Sequence, residues 1–183
     1  MLKFALALVL LSVAALVSIH ASAQWGRPAA AVIPEADGYV TIPNAAVPPD
    51  KKRTYRAIYD ATRFPKDPTQ LLPALNMAGS ELNAFAAAKV PLHNVKFAVV
   101  FHGAAINGIL DVDHYQTKFG VPNPNLKVLS EMKKAGVEIF VCGQNLVSEN
   151  IDPKVISPDV TVASDALIVL MSYQNDGYAL MSF

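Results

Sequence analysis

Two short polar segments, each containing a glycine, follow apolar stretches of this chain and could carry chemistry. His102-Gly103 comes directly after NVKFAVVF, and Cys142-Gly143-Gln144 comes directly after VEIFV. The thiolate is the reactive form of cysteine, and a neighbouring basic group can activate it. Glycine lets the backbone approach a ligand closely and leaves amide N–H groups for an anion. The candidate catalytic residues are Cys142 and His102, and the candidate ligand-binding residues are Gly103, Gly143 and Gln144.

Each candidate also has a structural interpretation. Free cysteine is among the most buried residue types, so Cys142 could fill a core. His102 could hydrogen bond to a loop carbonyl through either ring nitrogen. Gln144 and Asn145 are typical turn and capping residues. A further alternative is an enzyme that acts on a small anionic substrate with His102 as its base. The residues alone leave these alternatives open.

Other kinds of site have weaker support in the sequence. Asp111, Asp113 and His114 resemble a metal cluster, but no second histidine stands at a ligand spacing. Acidic residues favour a helix N-terminus, so a helix start explains this stretch better. The chain has no glycine-rich phosphate loop with a lysine, no G-x-S-x-G motif and no C-x-x-C pair. We therefore predict no metal site, no organic cofactor and no dithiol chemistry.

The N-terminus has the composition of a secretory signal. Lys3 precedes an apolar run over 4–17, and Ala-Ser-Ala at 21–23 is a cleavage pattern. The run is shorter than the about 20 residues of a transmembrane helix. We predict that 1–23 is cleaved and that the mature chain starts near Gln24. The alternative is a retained N-terminal anchor helix.

Charge and cysteine count limit the partners and the compartment. The 183 residues include 15 Lys or Arg and 15 Asp or Glu, so removing Lys3 with the signal leaves a formal net charge of minus one. This balance gives no sign of a nucleic-acid partner or of binding to an anionic membrane. Disulfides persist in exported proteins, but the single cysteine cannot form one within the chain. The thiol is therefore free, paired with another molecule or modified.

The segment 24–53 contains five prolines and ends in a charged turn, so we interpret it as an extended arm or linker. It is either a mobile leader or an arm that packs on a neighbouring subunit through 39–42. Strand-like and helix-like segments alternate from 54 to 183, which we take as one domain. The predicted strands are 54–62, 94–101, 137–142, 159–163 and 178–183. The predicted helices start at Asp67-Pro68, span 125–135, lie near Ser148, and run from a cap at Ser164 or Asp165 to 175–177.

This alternation predicts an α/β fold, a layered sandwich with a mostly parallel central sheet of about five strands flanked by helices. In an open α/β sheet, ligands bind beyond the carboxyl ends of the strands. His102 and Cys142 both fall at such ends. If their two strands are neighbours, an imidazole and a thiol share one edge of the sheet.

The order of these segments resembles the DsrE/DsrF-like sulfur-relay family over roughly 55–183. The matching segments are His102-Gly103, Val141-Cys142-Gly143-Gln144, and Gln174 before Gly177-Tyr178. The resemblance implies a compact sandwich of the DsrE/YchN type, assembled as trimers or hexamers. It also implies that Cys142 accepts sulfane sulfur as a persulfide and passes it on, with sulfur donor and acceptor proteins as partners.

Two features depart from the best-known members of that family. Those members are cytoplasmic, whereas we predict that this chain is exported. The Arg-Arg-Gly that can follow their cysteine is replaced by Asn145-Leu146-Val147, so transfer to a tRNA-modifying pathway is not expected. We predict a periplasmic bacterial sulfur carrier or sulfur-metabolism accessory protein, without nucleic acid and without stable membrane insertion after signal cleavage. The alternative is a non-catalytic binding or assembly module in which Cys142 is structural.

Overall fold

Segments rich in β-branched and aromatic residues form the central strands of this chain, such as VKFAVVF and EIFVC, as their β-propensity favours. The structure, a computed structural model, describes residues 26–183, so the predicted signal lies outside the described residues. All five strands pair in parallel, in the order β4-β3-β2-β1-β5. The α/β sandwich predicted from the sequence is confirmed. The strands are β1 (Tyr55–Ala61), β2 (Val95–Phe101), β3 (Glu138–Cys142), β4 (Thr161–Ala163) and β5 (Ala179–Ser182).

In the described part of the chain, residues 26–183, five α-helices connect the strands, with short 3₁₀ segments at 92–94, 103–109 and 153–155. Asp111 caps the second helix by accepting a hydrogen bond from the His114 amide at 2.8 Å, which confirms the helix-start interpretation of this acidic stretch. Within residues 26–183 no helix is long and apolar enough to cross a membrane. The helices are α1 (Pro73–Ala87), α2 (Val112–Phe119), α3 (Asn125–Lys134), α4 (Gly143–Ser148) and α5 (Ala166–Asn175).

The first helix starts later than predicted. The sequence pattern placed its start at Asp67-Pro68, but α1 begins at Pro73. The Asp67 carboxylate instead accepts hydrogen bonds from the amide and hydroxyl of Thr69, closing a local turn. Proline inside a helix removes a hydrogen bond and clashes with the preceding turn. A helix that started at Pro68 would have held Pro73 in its interior, so the second proline sets the boundary.

Alternation along the strands divides the side chains between two faces of the sheet. One face forms the main core with α1 and α3, and includes Tyr59 and Phe97. The other, which we call the α5 face, is covered by α5 and holds a smaller cluster. The members of that cluster are Ile58, Ala98, Val100, Cys142, Ala166 and Leu170.

Part of the proline-rich arm docks on its own domain. Ile33 and Ala36 are buried in the main core, and a Cβ at Gly79 of α1 would lie 2.6 Å from the Ala36 Cβ. Asn83, also on α1 and buried, hydrogen bonds to the arm backbone at Ile33 through both side-chain atoms. The arm therefore contributes to the folded unit of the same chain. The packing of 39–42 on a neighbouring subunit stays a prediction, and Ile42 in this segment is exposed.

Candidate functional site

The carboxyl ends of the five parallel strands meet at one edge of the sheet, where the candidate residues lie. β2 ends immediately before His102, and β3 ends with Cys142 itself. The two strands are neighbours, with Phe101 paired to Val141 as the last pair of their register. His102 and Cys142 therefore occupy the next register position. The condition on which the sequence prediction depended, adjacency of these two strands, is met.

The His102 ring is held by a carboxylate of the next strand. Its Nε2 atom lies 2.6 Å from Oδ1 of Asp60 in β1. The extended backbone of His102 continues β2, and its amide donates to the Ala61 carbonyl at 3.0 Å. Alternation then places the ring on the α5 face with Val100, and Asp60 on the same face with Ile58. His102 thus bonds to a carboxylate rather than to a loop carbonyl.

Cys142 lies on the α5 face beside this pair, but it is buried. It is a free cysteine with 6% of its surface exposed, packed with Ala166 and Leu170 of α5. It is also the residue that precedes α4, and it makes no capping hydrogen bond through its side chain. The structure therefore brings the thiol and the imidazole to one edge and one face, beneath the first turns of α5.

Gly103 adopts a left-handed backbone conformation with φ of 55°, which glycine allows without strain. Its amide donates a hydrogen bond to Oδ1 of Asn145 in α4. The Gly103 amide, which we expected to be left for an anion, therefore already donates to the Asn145 side chain of α4, and a ligand-binding role for Gly103 stays a prediction. The bond ties the segment after His102 to the segment after Cys142.

Gly143 and Gln144 lie next to a different feature. They border an open groove of about 430 Å³ between α4 and the end of β4, together with Val147, Val162 and Ser164. A Cβ at Gly143 would lie 2.7 Å from the Ala163 carbonyl oxygen, so glycine permits the close approach of α4 to β4. Cys142 does not line this groove. The predicted ligand-binding glycine pair is thus divided between two local environments.

Two residues of the site were missed by sequence reasoning. Asp60 lies in a strand of mixed polarity, and its carboxylate between the buried residues Tyr59 and Ala61 was the available signal. Asn145 was interpreted only as a turn or capping residue. Within residues 26–183 no group of three His, Cys, Asp or Glu side chains could hold a metal ion. The arrangement is suited to nucleophilic chemistry at one sulfur with an imidazole held by a carboxylate.

Comparisons with known proteins agree with this fold. A sequence model of the DsrE/DsrF-like family matches residues 71–183, which include His102 and Cys142 but not Asp60. The protein of unknown function MTH1491 from Methanobacterium thermoautotrophicum has a similar structure, with a TM-score of 0.54, 19% identity and coverage of 70% of this chain and 99% of its own. The ychN protein from E. coli has a TM-score of 0.50, 14% identity and coverage of 70% and 99%. No curated protein matches the chain.

Proposed function

The chain belongs to the DsrE/DsrF-like family, and from this premise we propose that it is a sulfur carrier or sulfur-metabolism accessory protein. In this proposal Cys142 holds sulfane sulfur as a persulfide. The supporting observation is the geometry of the sheet edge, where Cys142 lies one register position beyond Phe101–Val141, opposite His102. Asp60 holds the His102 ring at 2.6 Å.

The transfer is a thiol–disulfide type of exchange. The Cys142 thiolate attacks the outer sulfur of a donor persulfide, forming a new S–S bond. The donor's own S–S bond breaks, and its electron pair leaves on the donor thiolate. An acceptor thiolate then attacks the outer sulfur on Cys142 and releases the Cys142 thiolate. Sulfane sulfur moves between thiols with no net oxidation or reduction, so the chain's residues need no redox cofactor for this exchange.

His102 has a defined role in this scheme. The Nε2 atom of His102 is hydrogen bonded to Asp60, whereas its Nδ1 atom has no hydrogen-bond partner among residues 26–183. Nδ1 is therefore the nitrogen left to accept the thiol proton or to interact with the entering persulfide. Asp60 is a positioning residue, because it orients the His102 ring without touching sulfur.

The burial of Cys142 favours a second candidate function. A thiol with 6% exposure in an apolar cluster is also what a structural cysteine requires. In that case the chain is a non-catalytic binding or assembly module of the same family. The carrier proposal requires the first turn of α5, at Ala166, to move far enough for a donor sulfur to reach Cys142.

Mass analysis of the protein after incubation with sulfane-sulfur donors separates the two candidates. The carrier predicts an adduct of one sulfur atom on the Cys142 peptide, and its absence in Cys142→Ala. Alkylation near neutral pH provides an independent measure of access to the thiol. A thiol that reacts only after unfolding, and that takes no sulfur from several donors, contradicts the carrier and supports the structural module.

We propose that copies of this chain associate through the exposed surface of α5 and the adjoining strand β5, as trimers or hexamers. Leu167, Ile168 and Met171 are exposed on α5, and Leu180 is exposed on the adjoining edge of β5. Contiguous exposed apolar residues mark interaction surfaces. Ile168→Asp should convert the assembly to monomers in light-scattering measurements. Val112→Asp is the matched control, since Val112 is equally apolar and exposed but lies on α2. A monomeric wild-type protein would contradict the proposal.

We also propose export to the periplasm, based on the pattern of Lys3, the apolar run and Ala-Ser-Ala at 21–23. Secreted protein should begin at Gln24. N-terminal sequencing of protein recovered from the periplasmic fraction tests this, and an intact Met1 in that fraction would contradict cleavage.

A further inference from the structure

A cavity lies on the face of the sheet opposite Cys142, between α1, β1 and β5. Its volume is about 220 Å³. Aromatic rings form much of its wall, with the ring centroids of Tyr55 and Phe85 4.4 Å apart and those of Phe85 and Phe97 6.1 Å apart. Met77, Met181 and Phe183 are among the other apolar residues of the lining. An apolar cavity of about 150 Å³ is enough to hold benzene, so this one can hold a single substituted ring.

Two polar groups face this otherwise apolar space. Glu81 of α1 borders the cavity and makes no ion pair with any residue in 26–183. Tyr59 is 1% exposed, also lines the cavity, and has no hydrogen-bond partner for its hydroxyl within the same residues. Burial raises the pKa of the Glu81 carboxyl. Burial, and then the nearby Glu81 charge, raises the pKa of Tyr59. The carboxylate and the hydroxyl therefore lie within electrostatic reach of each other, and no group within residues 26–183 pairs with either of them.

The charge near the cavity is negative. Arg56 borders it, but alternation along β1 directs the Arg56 side chain to the α5 face, where its charge acts on Tyr178. No described cation pairs with Glu81. Glu81 is exposed to solvent where it borders the cavity, and a carboxylate in this position attracts a cationic group by Coulomb interaction. Aromatic faces attract an ammonium group as well.

We propose that this cavity binds a small organic cation, a primary amine carried on a single ring or a short alkyl chain. The apolar part lies among Tyr55, Phe85 and Phe97. The ammonium group donates to the Glu81 carboxylate and to the Tyr59 hydroxyl oxygen. The cavity and Cys142 lie on opposite faces of the sheet, so this binding site is separate from the sulfur chemistry and does not depend on it.

Titration of the purified protein with three isosteric probes tests the charge requirement. The probes are 2-phenylethylamine, 2-phenylethanol and phenylacetate, followed by NMR shifts of the Tyr55 and Phe85 rings. The amine should bind saturably and at least about tenfold more tightly than the alcohol, since a hydrogen bond to a charged group is worth this factor. Phenylacetate should bind most weakly. Equal affinity for amine and alcohol, or no saturable binding of the amine at millimolar concentration, would overturn the proposal.

Two variants separate the charge from the cavity. Glu81→Gln should weaken the amine about tenfold and leave the alcohol unchanged. Ala179→Leu should abolish binding of every probe, because Ala179 lines the cavity and pairs with Ala57 on β1. Leu180→Ala is the matched control, since it lies one residue further on the opposite face and should bind as the wild type does. Circular dichroism confirms that each variant is folded. Amine binding that survives Glu81→Gln or Ala179→Leu with unchanged affinity sinks the proposal.

Discussion

Replacing Asn83 with alanine should release the arm from its domain. Asn83 is buried on α1, and its Oδ1 accepts from the amides of Val32 at 3.0 Å and Ile33 at 2.9 Å. Its Nδ2 donates to the carbonyls of Ile33 at 2.9 Å and Asp37 at 3.2 Å. One side chain therefore satisfies four backbone groups of a segment that has almost no regular structure of its own.

The size of the effect follows from these bonds. Each protein hydrogen bond contributes about 1 kcal/mol net, and a buried group left without a partner costs about 1–3 kcal/mol. The freed arm groups can regain water if the arm lifts away, which limits the loss. We expect Asn83→Ala to lower the free energy of unfolding by about 3 kcal/mol. Loss of Ile33 from the core would accompany the release.

Asn76 provides a matched control on the same helix. It lies seven residues before Asn83, and it also binds the arm, through the Asp37 amide at 2.9 Å and the Asp37 carboxylate at 2.8 Å. These bonds are exposed, so water replaces them when they are lost. Asn76→Ala should lower the free energy of unfolding by less than about 1 kcal/mol.

Urea denaturation followed by far-UV circular dichroism measures both variants, and limited trypsin digestion at Lys51 and Lys52 reports arm release separately. Asn83→Ala should lose stability and gain early cleavage at these sites. If it matches Asn76→Ala in stability and its arm is cleaved no faster than in the wild type, Asn83 does not hold the arm.

Three further predictions concern the two sides of the sheet. Cys142→Ser should lower the free energy of unfolding by about 1–2 kcal/mol more than Cys142→Ala, because it places a hydroxyl in an apolar cluster. Urea denaturation compares the two variants. A serine variant more stable than the alanine variant would show that the surroundings of residue 142 are polar. Asp60→Asn should slow sulfur loading of Cys142 about tenfold, since a hydrogen bond to a charged group contributes about 1.5 kcal/mol. Mass analysis at timed intervals measures this rate, and an unchanged rate would show that Asp60 has no role in loading. Burial raises the pKa of Glu81, so its ionised form costs stability above that raised pKa and the cost disappears below the ordinary value of 4.5. Glu81→Gln should therefore stabilise the protein by less than about 1 kcal/mol at neutral pH and not below pH 4.5; denaturation at both pH values tests this, and a gain that persists in acid would contradict it.

Local patterns predict the elements well where burial on both faces leaves a continuous apolar run. β2 reads VKFAVVF and is buried except at Lys96, so the strand and its central place follow from the residues. The predicted start of α1 was wrong because Pro68, taken by itself, fits the preference for proline in the first turn of a helix. Only the later Pro73, which cannot lie inside a helix, shows where the start is.

Contacts between distant residues are what the sequence could not show. The pairing of His102 with Asp60 depends on β1 lying beside β2, and strand order has no local signal. The Asn145–Gly103 bond likewise joins α4 to the 3₁₀ segment after β2, between residues 42 positions apart. Proline content indicated an extended arm, but its docking depends on Asn83, 50 residues beyond Ile33. Long-range geometry of this kind is set by the packed fold rather than by any one segment.

The most direct test of the carrier proposal is peptide mass analysis of the wild-type protein after exposure to a sulfane-sulfur donor. Cys142, the single cysteine of the chain, is the one residue that can hold the transferred sulfur as a persulfide. We predict an adduct of one sulfur atom on the Cys142 peptide, removed by an acceptor thiol and absent from Cys142→Ala. A wild-type peptide that stays unmodified with several donors would contradict a persulfide at Cys142.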